Sequence, residues 1–139
     1  MISKLGLYCL YVLDQERARK FYTEKLGFVI HTDAPIGPNL RWLTVCLKDQ
    51  PNTEMALIPV QEGMSFNKET AEQLKQLVAN GTFGFATFQC EDIYATYEEL
   101  KAKGVEFPKP PKQEFWGIGA TFKDDSGNWF SLSQIQKPK

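Results

Sequence analysis

Apolar residues along this chain fall into short blocks, each closed by an acidic cap, a glycine or a proline. Leu7 to Val12 is filled with strand-forming residues and predicts a strand. Asp14 follows, able to accept from an orphan N–H of a first helical turn. Ala18, Phe21, Tyr22, Lys25 and Leu26 then return at three- and four-residue spacing, with Glu16, Arg17, Arg19 and Lys20 on the polar side. This predicts a helix to about Lys25, stopped by Gly27, and a new strand from Phe28 to Thr32. From Phe83 the order repeats: a strand to Cys90, an acidic cap at Glu91/Asp92, a helix to about Lys103, Gly104 and a strand over Val105–Phe107. Asp14 to Glu91 and Gly27 to Gly104 are both 77 positions apart, the mark of an internal repeat.

Between the repeated units, His31 to Asn39 is broken by Pro35, Gly37 and Pro38 and predicts a loop. Strands are expected over Leu40–Lys48 and Thr53–Val60, with Asp49–Asn52 as a tight connection and Pro59 near an edge or a strand end. Asn67–Asn80 predicts a polar helix with Ala71, Leu74, Leu77 and Val78 on its apolar face. After Phe107, Pro108-Lys-Pro-Pro111 predicts a stiff extended connection. Strands over Phe115–Lys123 and Asn128–Ile135 flank Asp124-Asp-Ser-Gly127, strong turn chemistry, and the tail Gln136–Lys139 is expected to fray. The pattern predicts one α+β domain over residues 1–139: repeat one over 1–61, a connecting helical segment over 62–81 and repeat two over 82–139. Each repeat is βαβββ and covers one sheet face with its helix. Two such sheets around a shared cleft would give a ligand its place.

Charge and cysteine usage narrow the classes of function. A formal charge of −1 with dispersed basic residues gives no footprint for nucleic acid or an anionic membrane. No apolar run is long enough for a membrane span or a secretory leader, so a cytoplasmic location is expected. Cys9, Cys46 and Cys90 are odd in number and form no CxxC pair; they are expected as buried free thiols. With one histidine, His31, a multi-histidine metal centre within one subunit is excluded by arithmetic.

Val12-Leu-Asp14, Ala18, Phe21-Tyr22, Leu26-Gly27-Phe28, Glu91-Asp92, Leu100, Gly104, Trp116-Gly117, Ala120, Phe122, Asp124-Asp-Ser-Gly-Asn128 and Phe130-Ser-Leu132 together span the chain. In this pattern the sequence resembles the glyoxalase/bleomycin-resistance/extradiol-dioxygenase superfamily, the vicinal oxygen chelate fold. The resemblance implies paired βαβββ repeats that build a cleft, and a homodimer. In metal-dependent members it implies four histidine, glutamate or glutamine ligands on cleft strands. Those positions fall here on Leu7, Ala56, Phe85 and Ser131. Three of these have no ligating atom, and a serine hydroxyl is a poor divalent-metal ligand. No metal or other cofactor is therefore expected, and a metal-dependent glyoxalase or dioxygenase activity is not.

Strand alternation assigns the remaining cleft lining. Leu7, Cys9 and Tyr11 face the cleft from the first strand, with Trp42, Thr44 and Cys46, and with Glu54, Ala56 and Ile58, from its neighbours. Repeat two offers Phe83, Phe85, Thr87, Gln89, Trp129, Ser131 and Ser133, and Trp116 is a further contact candidate. Such a surface suits a small, partly aromatic or apolar organic molecule held by a few polar groups. Metal-independent binding, with drug or metabolite sequestration as one role, is the first expectation. A metal-free lyase or isomerase acting on a small carbonyl compound is the second, and a non-catalytic structural or regulatory protein with a filled cleft the third. No catalytic residue is assigned: Tyr11 with Glu54 would need to approach within roughly 3 Å to act as acid and base. His31 is expected as a loop residue, with a role as base or ligand contact as the alternative.

Overall fold

In a computed structural model that describes residues 1–63 and 66–135, the chain forms two successive βαβββ repeats of the α+β class. Repeat one consists of β1 (Leu7–Val12), α1 (Gln15–Lys20) continuing as a π-helical turn over Phe21–Lys25, β2 (Val29–Gly37), β3 (Leu40–Leu47) and β4 (Gln50–Pro59). After α2 (Lys68–Ala79) come β5 (Gly84–Gln89), α3 (Ile93–Ala102), β6 (Glu106–Glu114), β7 (Gly117–Lys123) and β8 (Trp129–Ile135). The sheets run β1-β4-β3-β2 and β5-β8-β7-β6. In each, the first and last strands of the repeat pair in parallel across the helical crossover, and the other pairs are antiparallel. The offset of 77 carries β1 onto β5 and β2 onto β6 residue for residue.

Local chemistry explains the repeat. Asp14 Oδ1 accepts from Arg17 N at 2.8 Å, and Asp92 Oδ1 from Ala95 N at 3.0 Å, so Asp92 rather than Glu91 caps α3. Gly27 and Gly104 both take positive φ, 78° and 88°, where a side chain would be strained. The helix expected to reach Lys25 instead widens after Lys20, and the π turn brings Phe21 and Tyr22 side by side into the core.

Two segments expected as irregular are strands. Residues 33–37 extend β2 and 108–111 lie inside β6. Both strands are sheet edges, where a proline's missing N–H costs no ladder bond. Pro59 closes β4, an inner strand, at its end. The thiols also differ from expectation: all three are free, but Cys46 alone is buried, Cys90 is half-buried and Cys9 is exposed. The tail Gln136–Lys139 lies outside the described residues.

One hydrophobic core serves both repeats. Leu10, Val12, Leu43, Val45, Met55 and Leu57 of the first sheet cluster with Ala120, Phe122, Phe130 and Leu132 of the second, and with residues of both helical segments. Tyr22 stands where they meet, edge-on to Phe28 and Phe130. Its hydroxyl donates to Asp124 Oδ2 at 2.8 Å. Asp124 Oδ1 accepts from the backbone N–H groups of Ser126, Gly127 and Asn128, so this turn spends its carboxylate on its own backbone. The turn also grips repeat one: Asn128 Nδ2 donates to Tyr11 O at 2.8 Å, and Leu13 N to Ser126 Oγ at 2.9 Å.

Candidate functional site

Because the even-numbered residues of β7 and β8 fill the core, their odd-numbered neighbours are left for the opposite face of the second sheet. There a cavity of about 840 Å³ opens, within the range of about 300–1,000 Å³ typical of small-molecule sites. Thr87 and Gln89 of β5, Ser131 and Ser133 of β8, and Gly119 and Thr121 of β7 line it. β6 supplies Pro108, Lys109, Pro110, Pro111, Lys112 and Glu114, and Trp116 joins from the β6–β7 turn. The Trp116 indole packs so closely on Gly119 that a Cβ there would sit 2.9 Å from its Cη2. Glycine thus makes room for the ring.

Of the residues the sequence nominates, the structure gathers Thr87, Gln89, Trp116, Ser131 and Ser133 around this cavity. Phe85 is not among them. A register shift between Gly84 and Ala86 makes it the extra residue of a bulge, and it packs against the shared core and Phe83. Phe83 and Trp129 do not line the cavity either, and the nominated residues of repeat one lie on the first sheet. Leu7 is half-buried and Cys9 exposed, while Tyr11 packs edge-on to Phe66 beside α2. Trp42 is half-buried; Thr44 and Ala56 are fully buried.

Glu54 finds partners other than Tyr11. Thr44 Oγ1 donates to Glu54 Oε1 at 2.9 Å, and His31 Nδ1 stands 3.0 Å from the same oxygen. His31 Nδ1 also meets Thr32 Oγ1 at 3.0 Å, with hydrogen-bond geometry, so the carboxylate is a close neighbour rather than its hydrogen-bonded partner. The histidine expected in a loop therefore sits in β2, at the register shift between Ile30 and Thr32, and joins the carboxylate of β4. The 77-residue offset carries Thr44 onto Thr121, Glu54 onto Ser131 and His31 onto Pro108. This polar cluster is the repeat-one counterpart of the cavity wall in repeat two.

A smaller cleft of about 210 Å³ is shared between the repeats, with Lys25–Phe28 and Leu47 on one side and Phe88, Cys90, Thr96 and Leu100 on the other. Burial there pushes the Cys90 thiol up, which disfavours a nucleophilic thiolate. Burial also raises Tyr8 and, far more, Tyr22, where the neighbouring Asp124 adds to it. Neither tyrosine lines the large cavity. The β6 contributions escaped the sequence reading because three prolines masked a strand; the 77-residue offset from β2 was the signal that marks it.

The sequence pattern of the Glyoxalase/Bleomycin resistance protein/Dioxygenase superfamily matches residues 4–132. The chain belongs to this superfamily. It is 40% identical to the uncharacterized protein YetH of Bacillus subtilis (strain 168), over 96% of this chain and 100% of that one. The crystal structure of UcmS2 superposes with a TM-score of 0.90 at 44% identity, covering 96% of this chain and 98% of that one. That of TnmS3, an antibiotic binding protein from Streptomyces sp. CB03234, gives a TM-score of 0.74 at 30% identity, covering 97% and 98%. At the positions where the resemblance implies metal ligands, this superfamily member has Leu7, Ala56, Phe85 and Ser131. Leu7, Ala56 and Phe85 offer carbon only, and among the described residues no three His, Cys, Asp or Glu side chains converge to hold an ion. Among the described residues, no helix is long and apolar enough to cross a membrane.

Proposed function

We propose that this protein binds a small, partly aromatic or apolar organic molecule without a metal, and that sequestering a drug or metabolite is its role. One observation carries the reading: the Trp116 indole, seated on Gly119, forms an aromatic wall beside the hydroxyls of Thr121 and Ser131 in an 840 Å³ cavity. An aromatic plate next to a few hydrogen-bonding groups selects flat ligands with sparse polarity. The similarity to TnmS3, described as an antibiotic binding protein, supports the same reading. The cavity is walled by residues of repeat two alone. We therefore also propose a cytoplasmic homodimer whose second copy closes the site with the face bearing His31 and Glu54; sizing chromatography checks the dimer.

The test is a titration of the protein with 2-naphthamide, a flat neutral probe, followed by calorimetry. Saturable binding, unchanged by a chelator, is expected. Trp116→Ala should weaken it about three- to tenfold, the value of one aromatic pair. Gly119→Ala should do the same by pushing the indole off its seat. Absence of saturable binding, or its loss on chelation, would count against the proposal.

A further inference from the structure

The cavity has a charge pattern that narrows its occupant. On β6, Lys109 lies opposite Thr121 and Lys112 opposite Gly119. Both therefore share the face of those two β7 residues, and both line the cavity. Neither takes part in an ion pair among the described residues. The acid in the wall, Glu114, stands opposite Gly117 at the far end of the strand. The Ser133 hydroxyl is occupied by the Phe88 carbonyl at 3.4 Å, whereas among the described residues Thr87, Thr121 and Ser131 make no hydrogen bond through theirs. The wall is thus rich in donors, with two ammonium groups along one side. Because Lys112 and Trp116 converge on the same glycine, a cation and an aromatic plate are presented together.

We propose that the cavity takes an aromatic acid: a flat ring seated against Trp116, carrying a carboxylate or comparable anion held by Lys109 and Lys112. The inference rests on the binding role proposed above and narrows it to a ligand class. A lysine alone in water contributes little to affinity, since solvent screens it. A ring that covers the wall displaces that water and lowers the local dielectric, so the anion gains most when the ring is already seated. Prolines 108, 110 and 111 fix the extended course of β6 that holds the two lysines to this side. The competing account makes the lysines guards of an exposed sheet edge, keeping other strands from pairing. Edge guarding needs charge but gives no preference between an acid and its amide.

Matched probes separate the two accounts: 2-naphthoate and 2-naphthamide share a ring and differ in charge. We expect naphthoate to bind about tenfold or more tighter, the size of a charge-assisted hydrogen bond. That preference should shrink as salt rises and collapse in Lys109→Met/Lys112→Met, which keeps the apolar stems. An unchanged thermal midpoint in the double variant establishes that it is folded. Equal affinities, or a preference that survives the double variant, would overturn the aromatic-acid inference and leave the binding role standing. Binding of neither probe would overturn both.

Discussion

Thr44 is fully buried, and its hydroxyl donates to a glutamate that is itself three-quarters shielded. Burying a hydroxyl is tolerable when it is bonded and costly when it is left alone. Glu54→Ala should therefore cost about 1–2 kcal/mol of stability, part of it from the stranded threonine and part from the lost His31 neighbour. Thr44→Val with Glu54→Ala should cost less than the two single changes summed, because no unbonded hydroxyl remains. Urea unfolding of the four proteins gives the coupling; strict additivity would mean the pair does not depend on one another. At this scale the sequence was informative about what is missing. Leu7 and Ala56 cannot themselves ligate a metal, since carbon side chains have no lone pairs. It was silent about His31, whose approach to Glu54 depends on a register shift in β2 that no residue type marks.

The elements were legible wherever one chemistry dominated. Asp14, Asp92, Gly27 and Gly104 mark helix ends because an N-cap oxygen and a left-handed backbone each suit few residue types. β6 was obscured because proline argues against a strand unless the strand is an edge, and edge position is a property of the sheet rather than of the segment. The same dependence on neighbours governs the β7–β8 turn. Gly127 has φ of 110°, and a Cβ there would fall 2.6 Å from the Val78 carbonyl oxygen at the end of α2. Gly27 has φ of 78° with nothing within 4 Å of the same atom. Gly27→Ala should therefore cost about 1–2 kcal/mol, backbone strain alone. Gly127→Ala adds a clash against helical backbone and should cost about 3 kcal/mol or more. Chemical denaturation of both variants checks the order, and equal losses would show that the turn yields without disturbing α2.

Across the whole molecule, the repeat organisation invites the picture of two half-domains that fold separately, but the core argues otherwise. Leu10 and Leu57 of the first sheet belong to one buried cluster with Phe122 and Phe130 of the second. Tyr22 of repeat one hydrogen-bonds Asp124 of repeat two, and Asn128 bonds back to Tyr11. A lone repeat would expose half of that cluster and strand the Tyr22 hydroxyl, which removes more apolar burial than so short a segment can spare. The protein should therefore unfold in a single step. Its tryptophans make this measurable: Trp42 reports on repeat one, and Trp116 with Trp129 on repeat two. In Trp42→Phe, fluorescence follows the second sheet; in Trp116→Phe/Trp129→Phe it follows the first. Within each variant the urea midpoint by fluorescence should coincide with that by far-ultraviolet circular dichroism, which sees all of the helices and strands. Separate midpoints would mean that the core between the repeats holds less tightly than each repeat holds itself. The cavity, walled by repeat two alone, would then survive the melting of repeat one, and ligand binding would persist past the first transition.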